Sequence, residues 1–142
     1  LYGPNDNYDL NNSHVLPALI RKFHEAKLNN HSDVFLWGTG KPLREFLHVN
    51  DLAEAILFSM LNNLESDLYN VGSGYEISIE QLALKVQSIV GHQGAIQWDN
   101  SKPDGTFRKL LDSNKLIKNG WNSKIDLDTG IKSVYQEFTN KI

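Results

Sequence analysis

The chain has no cysteine. A disulfide framework, a thiolate zinc site and a cysteine nucleophile are therefore excluded within it. It has a single methionine, Met60. No apolar run approaches the roughly 18 residues that a membrane-spanning helix needs. Basic residues are in the minority, 14 against 17 acidic, for a net charge of −3. That excludes a strongly cationic nucleic-acid-binding domain, although not a local basic site. No P-loop and no G-x-S-x-G elbow occurs, and no set of His, Asp and Glu stands at metal-ligand spacing. What is present is ordinary globular material: 142 residues, 40% apolar and 22% charged. A chain of that length can bury about 68% of its unfolded surface, enough for a core.

The order of elements reads as alternating helix and strand. Leu1 to Asn12 is turn-rich. Ser13 is expected to cap a helix to about Lys27, with Val15, Leu16, Leu19, Ile20 and Phe23 on its apolar face. Pro17 stands near the first turn, where proline is best tolerated. Asp33–Trp37 and Arg44–Val49 read as strands, and Asn50 or Asp51 as the cap of a helix burying Leu52, Ala53, Ile56, Leu57 and Met60. Asp67–Val71 reads as a strand closed by Gly72-Ser73-Gly74. Ser78 and Gln81 form a capping box for a helix that buries Leu82, Leu84, Val86, Ile89 and Val90 and stops at Gly91. Ala95–Trp98 is a strand, 101–106 a polar loop, and a short helix from about Ser113 ends at Gly120. A last helix spans about Leu127 to Thr139. This alternation predicts an α/β fold.

The glycine pairs Gly38-Thr39-Gly40 and Gly72-Ser73-Gly74 each follow a strand pattern. Neither has the third glycine of a dinucleotide fingerprint, so both read as ordinary turns. His14 stands at a helix start, where the dipole and free amides disfavour an imidazolium and should lower its pKa. Such a histidine suits proton transfer, although a histidine at this position is more often just a solvated side chain. Trp37 and Arg44 bracket two glycines, a pattern that can stack on a ring and clamp a phosphate. The plainer reading is a buried tryptophan in a hairpin with a surface arginine. The segment 101–109 brings one carboxylate, Asp104, beside Lys102, Arg108 and Lys109, enough for a diphosphate or ribose contact or for a plain solvated loop.

Taken together, several segments resemble one family. They are Leu-Tyr-Gly-Pro-Asn-Asp-Asn at 1–7, Asn-Ser-His-Val-Leu-Pro-Ala-Leu at 12–19 and Trp-Gly-Thr-Gly at 37–40. Further along come Arg-Glu-Phe-Leu-His-Val-Asn-Asp-Leu-Ala at 44–53, Tyr-Asn-Val-Gly-Ser-Gly at 69–74 and Ser-Lys-Pro-Asp-Gly-Thr at 101–106. Tyr-Gly-Pro, Arg-Glu-Phe-Leu-His-Val and Asn-Val-Gly-Ser-Gly resemble the extended short-chain dehydrogenases that act on nucleotide sugars. The segments at 14–19 and 101–106 resemble the GDP-L-fucose synthase family more narrowly. The resemblance implies an α/β chain that is the C-terminal substrate-binding portion of such an enzyme, 1–142 as one unit, without the NADP-binding Rossmann half. Residues 51–72 would pack on that lobe in the intact enzyme. A start at Leu1-Tyr2-Gly3-Pro4 likewise reads as a cut in a longer protein.

The resemblance also implies roles. The family epimerises GDP-4-keto-6-deoxy-D-mannose at C3 and C5, then reduces C4 with NADPH to give GDP-L-fucose. His14 matches the proton donor and also touches the cofactor site, with Leu1 at its edge. Lys22, Trp37, Arg44, Asp104 and Lys109 match substrate contacts. Lys22 replaces an arginine common in relatives, and a point charge cannot make the bidentate contact of a fork. The chain departs from the family in lacking G-x-G-x-x-G, and no tyrosine is followed by lysine four residues on. The reduction residues and cysteine base are thus expected upstream, and this chain alone should not turn over. A cytoplasmic homodimer, with no nucleic-acid or membrane partner, is implied for the intact enzyme. Another nucleotide-sugar epimerase or dehydratase, or a non-catalytic sugar-nucleotide-binding module, are the rival readings.

Overall fold

A computed structural model describes residues 1–64 and 68–141. Ten elements follow in order: α1 (Val15–Leu28), β1 (Asp33–Trp37), β2 (Leu43–Glu45), α2 (Val49–Leu61), β3 (Glu76–Ser78), α3 (Ile79–Val90), β4 (Ala95–Asp99), β5 (Arg108–Lys109), α4 (Asn114–Lys118) and α5 (Leu127–Lys141). Strands β1 and β4 pair in parallel, Asp33 opposite Ala95 through Trp37 opposite Asp99. A second sheet has the order β3-β2-β5, antiparallel on one side of β2 and parallel on the other.

The main core follows from helical periodicity. α1 supplies Leu16, Leu19, Ile20 and Phe23, α3 supplies Leu82, Val86 and Val90, and α5 supplies Ile131, Val134 and Phe138. Val34 and Leu36 of β1 close it by strand alternation, which turns Phe35 and Trp37 outward. A smaller core gathers Leu47, Ala55, Leu116 and Trp121. The capping box at Ser78 and Gln81 is present, and Gly91 ends α3 in the left-handed conformation (φ 79°).

Several expectations are corrected. Ser13 does not cap α1; His14 occupies that position with extended backbone. The reason is a preceding turn in which the amides of Asn12 and Ser13 donate to the Asp9 carbonyl, shifting the helix start by one residue. Neither Asn50 nor Asp51 caps α2. His48 does so, its Nδ1 accepting from the Asn50 amide at 3.2 Å. The phase of α2 is set by Asp51 and Ala55, which are buried, so Ala53, Ile56, Leu57 and Met60 point outward, not inward. Leu84 of α3 is likewise exposed. Strand β2 stops at Glu45; beyond it only His48 makes an isolated bridge, to Tyr2. Leu68–Val71 form no ladder, and Asp67 lies outside the described residues. Tyr69 and Val71 pack instead on the smaller core.

Candidate functional site

The first two residues are placed by backbone pairing. The Tyr2 amide donates to the Leu47 carbonyl (3.1 Å), and the Val49 amide donates to the Tyr2 carbonyl (2.9 Å). Leu1 is thereby held at the rim of a cleft of about 740 Å³. His14, exposed at the start of α1, lines the same cleft, with Arg44 and Lys109. Register explains the last two. Arg44 of β2 is directly opposite Lys109 of β5, so both side chains leave the same face of the sheet. Like charges opposite one another on adjacent strands are destabilising unless an anion lies between them. The pairing thus sets two cations side by side in the cleft that His14 also lines.

A second group forms around the end of β1. Trp37 is 66% exposed. The buried-tryptophan reading is overturned, because strand alternation places Leu36 inward instead. The ammonium groups of Lys22 and Lys102 stand 5.6 and 5.7 Å from the Trp37 ring. Lys22 also donates to the Phe35 carbonyl at 2.9 Å, and partial burial lowers its pKa. Asp104 accepts from the Thr39 hydroxyl (2.6 Å) and the Thr39 amide (2.9 Å), which hold its carboxyl below the usual range. Gly38 (φ 80°) is needed here, since a Cβ would strike the Asp104 carboxylate. Lys22, Trp37 and Asp104 do not line the His14 cleft. Arg44 joins the two groups: it lines the cleft, while a Cβ on Gly105, next to Asp104, would come within 3.0 Å of its guanidinium.

Two positioning residues were missed from the sequence. Glu45 accepts from the Gly74 amide (2.7 Å) and the Leu111 amide (3.2 Å), tying both flanking segments to β2. Gly72 was the available signal: a Cβ there would sit 2.5 Å from the carboxylate, so only glycine fits beside Glu45. Glu76 grips Arg108 with two bonds, 2.7 and 2.9 Å, across β2. That fork secures β5, a two-residue strand that polar composition hides.

Comparison with known proteins follows the same lines. The model of the NAD dependent epimerase/dehydratase family matches residues 1–72. GDP-L-fucose synthase 1 of Arabidopsis thaliana is 51% identical over 142 residues, all of this chain and 44% of that protein. GDP-L-fucose synthase of Escherichia coli (strain K12) is 48% identical over 97% of this chain and 46% of its own length. The chain therefore spans less than half the length of these relatives. A crystal structure of a GDP-L-fucose synthetase from Naegleria fowleri bound to NADP superposes with a TM-score of 0.89 at 30% identity, over 99% of this chain and 44% of that one. The α/β architecture, the cleft built at Tyr2, His14 and Arg44, and a family match spanning half of the residues agree: the chain belongs to the NAD dependent epimerase/dehydratase family.

Proposed function

We propose that this chain is the C-terminal, GDP-sugar-binding portion of an NADP-dependent GDP-L-fucose synthase. The observation that carries the reading is the convergence of His14, Arg44 and Lys109 on one cleft. Similarity along nearly all of this chain to parts of proteins named GDP-L-fucose synthase supports the substrate class.

In this reading the paired cations Arg44 and Lys109 bind the diphosphate, Arg44 as a fork and Lys109 as a point charge. Trp37 offers a ring face, with Lys22 beside it. The lone pairs of Asp104 not used by Thr39 accept from a hydroxyl. The 4-keto group acidifies the C3 and C5 protons, because both carbons flank the carbonyl. After an upstream base removes each proton, His14 returns one to the opposite face of the carbon. NADPH, when bound, supplies the hydride that reduces C4. Leu1 and His14 fit an edge contact with that cofactor. Gly3 offers no phosphate cradle, since Val49 packs against it. The bulk of the NADP site, and catalytic competence, belong in this proposal to the part upstream of this chain. The cytoplasmic homodimer belongs to the same proposal. Among the described residues, no helix is long and apolar enough to cross a membrane.

Residues 51–72 pack on the Rossmann lobe in this proposal. Support comes from α2, where Ile56, Leu57, Met60 and Leu61 leave an apolar face uncovered; Met60 is 75% exposed.

The decisive variant is His14→Ala in the intact protein. Inversion at C3 and C5 should stop while C4 reduction of a keto-sugar persists. Unimpaired epimerisation would remove His14 from its role. Calorimetric titration of this chain with GDP-fucose, against a UDP-sugar control, separates the rivals. Preference for GDP-fucose is expected; preference for the UDP-sugar would favour a sister epimerase or dehydratase.

A further inference from the structure

The segment Gly38-Thr39-Gly40 lies between β1 and β2, and its glycine spacing reads as an ordinary turn. In the fold it runs beside the loop between β4 and β5 and is tied to that loop along its length. The Gly38 amide donates to the Asp99 carbonyl at the loop's start (3.0 Å), and the Leu43 amide donates to the Phe107 carbonyl at its end (2.8 Å). Between them, Thr39 engages both oxygens of the Asp104 carboxylate, Oδ1 with its amide (2.9 Å) and Oδ2 with its hydroxyl (2.6 Å).

Each residue of the turn serves that grip. Gly38 and Gly40 both have positive φ, 80° and 74°, a conformation that side chains disfavour. Space excludes a side chain as well: a Cβ on Gly38 would lie 2.3 Å from the Asp104 carboxylate, and one on Gly40 would lie 2.7 Å from the Trp98 ring. The Thr39 hydroxyl accepts from the Lys41 amide at 3.3 Å, which leaves its proton for Asp104. A carboxylate offers about four acceptor sites, and Thr39 takes one on each oxygen. The other sites stay open to a ligand, because Asp104 is exposed. They accept and do not donate, since the Thr39 hydroxyl and amide, helped by the charges of Lys41 and Arg44, hold the carboxyl below the usual range. The same grip fixes what flanks Asp104. Lys102 comes 5.7 Å from the Trp37 ring, and Gly105 lies so close to Arg44 that a Cβ would meet its guanidinium at 3.0 Å.

We propose that Thr39 is a positioning residue for the sugar nucleotide: by gripping both oxygens of Asp104, it holds that carboxylate in one orientation, ready to accept from the ligand's hydroxyl groups. This rests on the reading above that Asp104 contacts the substrate. An exposed aspartate on a polar loop would otherwise lose rotamer freedom when the ligand binds, and the grip removes that loss beforehand.

The test compares Thr39→Val, which keeps the branched shape without the hydroxyl, with Thr39→Ser, which keeps the hydroxyl. NMR titration of the Asp104 carboxyl carbon in this chain should find a higher pKa in Thr39→Val and recovery in Thr39→Ser. In the intact protein, Thr39→Val should raise the GDP-fucose Kd roughly 3- to 10-fold, the range of one lost hydrogen bond, and Thr39→Ser should restore it. On an Asp104→Ala background, Thr39→Val should change the Kd no further. An equal penalty on both backgrounds would overturn the proposal, because Thr39 would then act through something other than Asp104. So would an unmoved carboxyl pKa, or a Kd that rises in Asp104→Ala and not in Thr39→Val. A Kd unmoved by Asp104→Ala itself would instead sink the underlying reading of Asp104 as a substrate contact, and the proposal with it.

Discussion

Asp51 is 2% exposed, and both carboxylate oxygens are engaged, Oδ1 by the Lys124 amide and Oδ2 by the Ile125 amide, each at 3.1 Å. This acid fastens the segment before α5 to the first turn of α2. Removing it leaves two amides without partners, and each such group costs on the order of 1–3 kcal/mol. Asp51→Ala should therefore lower stability by about 2–4 kcal/mol in urea unfolding, while Asp51→Asn, which keeps one acceptor, should lose less. Equal losses would mean that shape rather than hydrogen bonding matters there. At Gly72 the constraint is space. Gly72→Ala drives a methyl into the Glu45 carboxylate and should release its bond to the Gly74 amide, seen as faster exchange of that amide proton. Arg44→Ala in the intact protein should raise the GDP-sugar Kd roughly 10- to 100-fold, the range for a lost charge-assisted bond. An unchanged Kd would take Arg44 out of the binding site.

Among the elements, α2 has two faces with different fates. One side carries Asp51 and Ala55 into the smaller core, and the other exposes Ile56, Leu57 and Met60. A substitution at an exposed position changes stability by about 0.5 kcal/mol or less. Leu57→Glu with Met60→Glu should thus leave this chain's urea midpoint nearly unmoved. In the intact protein the same pair should cost about 3 kcal/mol or more, since apolar burial is lost and charge is forced into a contact. If the two forms respond alike, α2 does not meet the upstream lobe. Element β5 makes the complementary point. Two residues of strand hold Lys109 beside Arg44 only because Leu43 and Arg44 offer a ladder and Glu76 grips Arg108.

For the molecule as a whole, pH dependence follows from its buried imidazoles. Burial holds both His24 and His48 below the ordinary histidine value, although Asp51 opposes part of the shift at His48. The unfolded chain therefore takes up these protons first as pH falls, so stability declines with acidification. The contribution is complete above about pH 7 and is lost as pH drops through about 6.5 and below. Urea midpoints at about pH 8, 6.5 and 5 should fall in that order, and His48→Asn, which can still accept from the Asn50 amide, should flatten the slope. A midpoint independent of pH over that range would contradict the burial argument. The carboxyls of Asp104, Asp126 and Glu137, held low mainly by side-chain hydrogen bonds, add a further loss at lower pH.

Local chemistry was legible wherever one short segment contains its own cause. The capping box at Ser78 and Gln81, the stop at Gly91 and the apolar stripe of α1 need no distant partner, because backbone geometry and helical period decide them. His14 and Arg44 were singled out from their motifs in the same local way, and both line one cleft, while their roles belong to the proposal. Four outcomes depended on the tertiary structure. Asp51 turned inward because the amides of Lys124 and Ile125, 73 and 74 residues along the chain, donate to its carboxylate. Lys109, 65 positions along the chain from Arg44, reached it through strand pairing, a register that composition does not encode. The outward face of α2 carries an apolar pattern that sequence reads as core, because periodicity reports that a face is apolar and not what covers it. The Tyr8 hydroxyl and His24 Nε2 are buried without a hydrogen-bond partner among the described residues only once α5 brings Phe138 and Tyr135 against α1, since hydrogen-bond satisfaction is a property of folded neighbours and not of residue type.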